Sequence, residues 1–100
     1  MTDLKSDYPR ATNLAEILKA LAHPVRLMLV AILCEEKKNV GELAEMLNLS
    51  QAIVSQQLRI LRMCGLVETQ RESGSAVYSL KEPQLKNLIA CLQSCQTDSK

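Results

Sequence analysis

The sequence predicts a mainly α fold carrying one small β-hairpin, with elements in the order α-α-α-α-β-β-α. Three observations lead there. Apolar residues recur at helical spacing through most of the chain. One stretch, near residues 66–80, switches to alternation around a Gly-containing polar turn. The apolar content, 47% of 100 residues, is almost wholly aliphatic, with 2% aromatic residues and no Trp or Phe. A Leu-rich aliphatic composition favours helix. The length fits a single domain over residues 1–100 with a modest core, flanked by short mobile tails at about residues 1–9 and 96–100. So small a core gains from pairing with a second copy, which buries more apolar surface.

The first helix is expected from about Ala11 or Thr12 to Leu21, with Leu14, Ile17, Leu18 and Leu21 along one stripe. Ala22-His23-Pro24 interrupts it. His23 can cap a second helix, with Pro24 at its first position, where a missing N–H costs nothing. From Pro24 to about Cys34 that helix is apolar nearly all round, which predicts the central buried element. Glu35-Glu36-Lys37-Lys38-Asn39 reads as a polar connection. A short helix follows, with Val40, Leu43, Ala44 and Leu47 inward and Glu42 and Glu45 outward. Met28, Met46 and Met63 read as core fillers.

Asn48-Leu49-Ser50 turns the chain into the most informative segment, residues 50–63. Ile53, Val54, Leu58 and Leu61 give it a buried side; Ser50 is a natural N-cap and Gly65 a natural stop. Outside remain Gln51, Ser55, Gln56, Arg59 and Arg62, without one acidic residue in the segment. Gln can bond adenine edges, Arg guanine edges or phosphates, and Ser phosphate oxygens. Two helices joined by so short a turn form a helix-turn-helix, whose second helix enters the major groove.

Next, Leu66, Val67 and Thr69 alternate into Gln70-Arg71. The turn Glu72-Ser73-Gly74-Ser75 follows, and then Ala76 to Leu80. A hairpin directly after a helix-turn-helix makes a winged helix-turn-helix. Arg71, Gly74 and Ser75 at the wing are placed to reach the minor groove or phosphates. Pro83 opens a last helix with the stripe Leu85, Leu88, Ile89 and Leu92.

Net charge is only +1, so basicity alone does not point to nucleic acid; its segregation does, with Arg59, Arg62 and Arg71 late and Glu35, Glu36, Glu42 and Glu45 early. No apolar run approaches the roughly 20 residues that span a bilayer, and the start lacks a signal-peptide pattern. The expectation is a cytoplasmic protein, without membrane partners, whose four cysteines are thiols.

The chain resembles the ArsR/SmtB family of homodimeric winged-helix repressors. The likeness is carried by Leu21-Ala22-His23-Pro24-Val25-Arg26-Leu27, Val40-Gly41-Glu42-Leu43-Ala44, Leu49-Ser50-Gln51, Val54-Ser55-Gln56-Gln57-Leu58, Leu61-Arg62, Gly65-Leu66-Val67 and Val77-Tyr78-Ser79-Leu80. It spans roughly residues 14–95. Many members have His where this chain has Gln57, which joins the expected DNA-contact set. The resemblance implies a homodimer through the first and last helices, bound to double-stranded operator DNA and released by an inducer. Two recognition helices must then stand about one DNA turn apart, ~34 Å.

The thiols are the sensing candidates. The metalloid-type Cys cluster of the family falls in residues 40–47, which hold no Cys. The zinc-type positions carry Glu82, Gln84, Cys95 and Asp98, a weak ligand set. Cys91 and Cys95 stand one helical turn apart and can share one thiophilic metal or metalloid ion if Cys34 or a partner residue adds a third ligand. In the sulfur-responsive branch a thiol on the second helix pairs with one on the last; the second-helix position matches Ala31, one turn before Cys34. Cys34 also reads as a packed residue, and Cys64 more so. No certain cofactor follows. A winged-helix module that binds protein and has no inducer site is the alternative, which the acid-free face opposes. Nothing supports an enzyme: no nucleophile–base pair and no phosphate loop are present, and the single His starts a helix.

Overall fold

A computed structural model describes residues 3–95. A 3₁₀ turn at Leu4–Ser6 leads into α1 (Tyr8–Leu21), α2 (Pro24–Leu33) and a two-residue strand β1 (Lys38–Asn39). Then come α3 (Val40–Leu47), α4 (Gln51–Met63), β2 (Val67–Glu72), β3 (Ser75–Leu80) and α5 (Leu85–Gln93). This is the winged helix-turn-helix order, with one addition. β1 pairs antiparallel with β3, Lys38 opposite Tyr78 and Asn39 opposite Val77, making a three-stranded sheet in the order β1-β3-β2. The polar connection therefore ends in a strand. Two residues on the open edge of β3 are too few to leave an alternating pattern.

α1 starts three residues earlier than its apolar stripe indicates. The Asp7 carboxylate accepts from the Arg10 N–H at 3.0 Å, and Pro9 sits in the first turn, where no N–H is needed. The expected tail up to residue 9 is shortened accordingly, because Leu4–Ser6 and the first turn of α1 are helical. The other expected tail, 96–100, lies outside the described residues. α2 opens as its sequence indicates: His23 Nδ1 accepts from the Val25 N–H at 3.1 Å, with Pro24 next. α5 begins at Leu85 rather than Pro83. The preceding residues form single turns, Leu85 N–H to Glu82 and Lys86 N–H to Pro83, at 3.0 and 3.1 Å.

One apolar cluster holds the helices together. α2 supplies Leu29, Val30 and Leu33; α3 supplies Leu43 and Ala44; α4 supplies Val54, Leu58 and Leu61; Leu66, Val67, Leu85 and Ile89 close it. α2 packs against α1, α4, β3 and α5 and is the central element, though not on every side. Leu27 and Met28 face outward. Met28, Met46 and Met63 are not core fillers: they are 51%, 56% and 79% exposed, each on its helix away from the buried stripe. Ile53 is exposed too, since Val54, Leu58 and Leu61 already occupy the inward face of α4.

On the outside, Leu14 and Ile17 are half-buried and Leu18 is 54% exposed. With Leu4, Leu85 and Leu88 they line an apolar groove of about 380 Å³ along α1 and α5. Among the described residues no helix is long and apolar enough to cross a membrane.

Candidate nucleic-acid interface

The geometry of the interface begins at a backbone device that opens α3. Asn39 Oδ1 accepts from the Glu42 N–H at 2.8 Å, while Glu42 Oε1 accepts from the Asn39 N–H at 2.9 Å, a reciprocal capping box. The Asn-x-x-Glu spacing of Asn39 and Glu42 is the signal that marks it in the sequence. α3 ends on Asn48, left-handed at φ 56°, whose N–H reaches Glu45 O at 3.2 Å while the Leu49 N–H reaches Ala44 O at 3.0 Å. These paired bonds end the helix tightly, and Asn tolerates this conformation better than most residues. Ser50 then caps α4, its hydroxyl oxygen accepting from the Ile53 N–H at 3.2 Å. That hydroxyl still has its own proton to donate.

α4 leaves Gln51, Ser55, Gln56, Arg59 and Arg62 exposed and carries no acidic residue. Gln57 stands apart from this set. It is half-buried, and its Oε1 accepts from Arg26 Nη1 of α2 at 2.9 Å. At its far end α4 stops on Gly65, left-handed at φ 77°. The Gly65 N–H bonds Arg62 O and the Leu66 N–H bonds Leu61 O, both at 3.0 Å. Leu61 and Leu66, bracketing the bend, are both fully buried.

The wing follows at once. β2 and β3 pair from Val67 opposite Leu80 to Glu72 opposite Ser75, leaving a two-residue loop, Ser73-Gly74. Both loop residues have positive φ, 52° and 81°, the backbone of a type I′ turn. Arg71 Nη1 donates to Gly74 O at 2.9 Å, so the guanidinium folds over the tip with donors to spare. An ion pair of 2.5 Å between Lys37 and Glu72 ties the wing to the segment before β1. Gln51 and Ser55 of α4 and Ser75 of β3 line one depression of about 420 Å³, together with Gly41, Ala76 and Tyr78. Nine of the ten expected contact residues are thus exposed, in two groups: Ser50, Gln51, Ser55, Gln56, Arg59 and Arg62 at the cap and on the outer face of α4, and Arg71, Gly74 and Ser75 on the wing.

The thiols lie elsewhere. Cys34 is half-buried at the end of α2 and lines a cavity of about 250 Å³ that also touches Lys86. Burial pushes its thiol up from the ordinary value, against the pull of the Lys86 ammonium and with a further push from Glu35. Cys64, Cys91 and Cys95 are exposed, and the Cys95 thiol points back to Cys91 O at 3.6 Å. Among the described residues no three His, Cys, Asp or Glu side chains converge as a metal site. Cys34 therefore does not complete a ligand set with Cys91 and Cys95 inside one chain. It sits beside Lys86, and Cys95 is nine residues further along, ~13 Å at helical rise. Asp98 of the zinc-type set lies outside the described residues.

A capped helix-turn-helix whose second helix shows an acid-free Gln/Ser/Arg face, followed by a wing, defines a winged helix-turn-helix DNA-binding regulator. A family model described as bacterial regulatory protein, arsR family, matches residues 23–69. The biofilm growth-associated repressor of Agrobacterium fabrum is 46% identical over 83 residues, covering 83% of this chain and 71% of that protein. The crystal structure of the transcriptional repressor BigR from Xylella fastidiosa superposes with a TM-score of 0.84 at 39% identity, covering 96% of this chain and 100% of that one. The homodimeric winged helix-turn-helix DNA-binding domain Mb0332 from Mycobacterium bovis superposes with a TM-score of 0.76 at 27% identity, covering 93% and 84%. The chain belongs to the ArsR family of bacterial transcriptional regulators. It is a DNA-binding protein and not an enzyme.

Proposed function

We propose that the chain works as a homodimeric repressor that occupies a double-stranded operator in the cytoplasm and is released by chemistry at its thiols. The observation that carries the DNA part is the acid-free outer face of α4 beside a wing whose Arg71 and Ser75 face the same partner. Ser50, Gln51, Ser55, Arg62, Arg71, Gly74 and Ser75 hold the backbone, while Gln56 and Arg59 read base edges. Repression agrees with the printed roles of the Agrobacterium and Xylella relatives. Dimerisation is supported by the apolar groove along α1 and α5, which one chain leaves uncovered, and by the homodimeric Mycobacterium bovis relative.

Release is assigned to Cys91 and Cys95, because both are exposed, Cys91 on α5 and Cys95 just past its C-terminal end. Cys34 is a poorer nucleophile, since its thiol is held protonated. A soft metal or metalloid ion shared with the partner subunit would strain the α5 pairing. So would oxidation of two thiols, with two electrons and two protons passing to a polysulfide or peroxide. Any change in pairing displaces both recognition helices together, and effector and DNA are then linked by a coupling free energy of about 1–3 kcal/mol.

The test is operator release followed by fluorescence anisotropy, on a duplex enriched from a random pool, after arsenite, zinc or polysulfide. Cys95→Ser is expected to bind the operator normally and to resist release. A Cys95→Ser protein released like the parent overturns the thiol assignment.

A further inference from the structure

Arg26 sits outside both the α4 face and the thiols, yet it touches the recognition helix. Its Nε donates to Ala20 O at 2.6 Å, a carbonyl in the last turn of α1, and its Nη1 donates to Gln57 Oε1 at 2.9 Å. Ala20 is among the last four carbonyls of its helix, which lack an intrahelical donor. Gln57 is the middle residue of α4. One half-buried side chain thus ties the end of α1, the start of α2 and the centre of α4.

We infer that Arg26 is a positioning residue that sets the rotation of α4, and that Gln57 is its anchor rather than a reader of bases. The inference rests on the operator-binding reading. The apolar contacts of Val54, Leu58 and Leu61 fix how deeply α4 sits, but apolar burial is non-directional and resists rotation weakly. A charged, directional hydrogen bond on the flank of the helix resists it well. Side-chain tips stand ~5–6 Å from a helix axis, so a rotation of ~15° moves Gln56 and Arg59 by about 1.5 Å. That displacement breaks hydrogen bonds to base edges. It leaves the attraction to phosphates nearly intact, since that term is set by charge and not by alignment. The link also runs through α1, so a rearranged dimer interface is transmitted to the reading face.

The test is a double-mutant cycle on Arg26→Met and Gln57→Met. Each single variant is expected to weaken operator binding about tenfold while changing random-duplex affinity by less than about twofold. The double variant is expected to match the singles at about tenfold, not a hundredfold. Gln57→Glu, which keeps an acceptor for Arg26, should retain the ratio of operator to random-duplex affinity. Additive losses, or equal losses on both duplexes, overturn the inference. The same cycle on urea unfolding of DNA-free protein reads the Arg26–Gln57 link without DNA; additivity there refutes the link itself. A parent protein with no operator preference, by contrast, refutes the proposed function.

Discussion

Replacing Gly65 with Ala isolates the bend that hands the recognition helix on to the wing. Gly65 is left-handed, and a Cβ built on it meets nothing within 4 Å. The cost is therefore one of backbone conformation alone, with no steric term. An L-residue in that region loses ~1–2 kcal/mol, and the smaller freedom of the unfolded Ala chain returns ~0.4–1 kcal/mol of it. The net loss should be about 1 kcal/mol, which for a domain of this size lowers Tm by roughly 4–8 °C. Urea and thermal unfolding at one fixed protein concentration measure it, since a dimer's midpoint moves with concentration. Gly65→Asn should recover part of the loss, because Asn tolerates the left-handed region. A neutral Gly65→Ala would show that the left-handed turn is not required. A loss above ~3 kcal/mol would require a clash that this geometry does not contain.

Other consequences can be checked in parallel. Arg62→Ala removes one phosphate contact per protomer, hence two per dimer, and the log–log salt slope should flatten by about 1.8; an unchanged slope and affinity would remove Arg62 from the interface. Leu18→Glu places a charge in the α1–α5 groove and should give a monomer in sedimentation with operator binding lost; a dimer of normal affinity would move the interface elsewhere. For Cys34 the fold favours the neutral thiol. Its stabilising contribution is thus complete below the ordinary thiol value and disappears as pH rises through the higher native one. Iodoacetamide labelling read by peptide mass should find native Cys34 slower than unfolded Cys34 at neutral pH, with a rate that keeps rising above the ordinary thiol range. Lys86→Gln should slow it further, and a faster Cys34 would contradict the burial argument.

Much of this architecture is legible in residue order because several local signals agree with the global pattern. Ser50 and Gly65 bound α4, His23-Pro24 opens α2, and Ser73-Gly74 places the hairpin turn, each by a stereochemical preference that neighbours do not override. β1 was illegible because Lys38 and Asn39 become a strand only by meeting β3, a partner 38–40 residues away. The early start of α1 depends on Asp7 and Pro9, whose capping value is masked by the polar character around them. Periodicity puts Gln57 beside the other polar residues of α4. Only the fold brings Arg26 to it across 31 residues and gives its amide oxygen a partner within the protein. The methionines failed for a related reason: apolar character marks a candidate for burial, but the stripe of α2, α3 or α4 had already been filled by Leu and Val.

The central claim is that the outer face of α4 and the wing, presented twice by a dimer, recognise duplex DNA in a sequence-dependent way. Anisotropy titrations of the parent protein test it most directly, on a duplex enriched from a random pool and on a scrambled duplex, between roughly 50 and 200 mM salt. The account predicts a preference of at least about a thousandfold for the enriched duplex, with affinity for both falling steeply as salt rises. Equal affinity for the two duplexes, or binding that ignores salt, would contradict it.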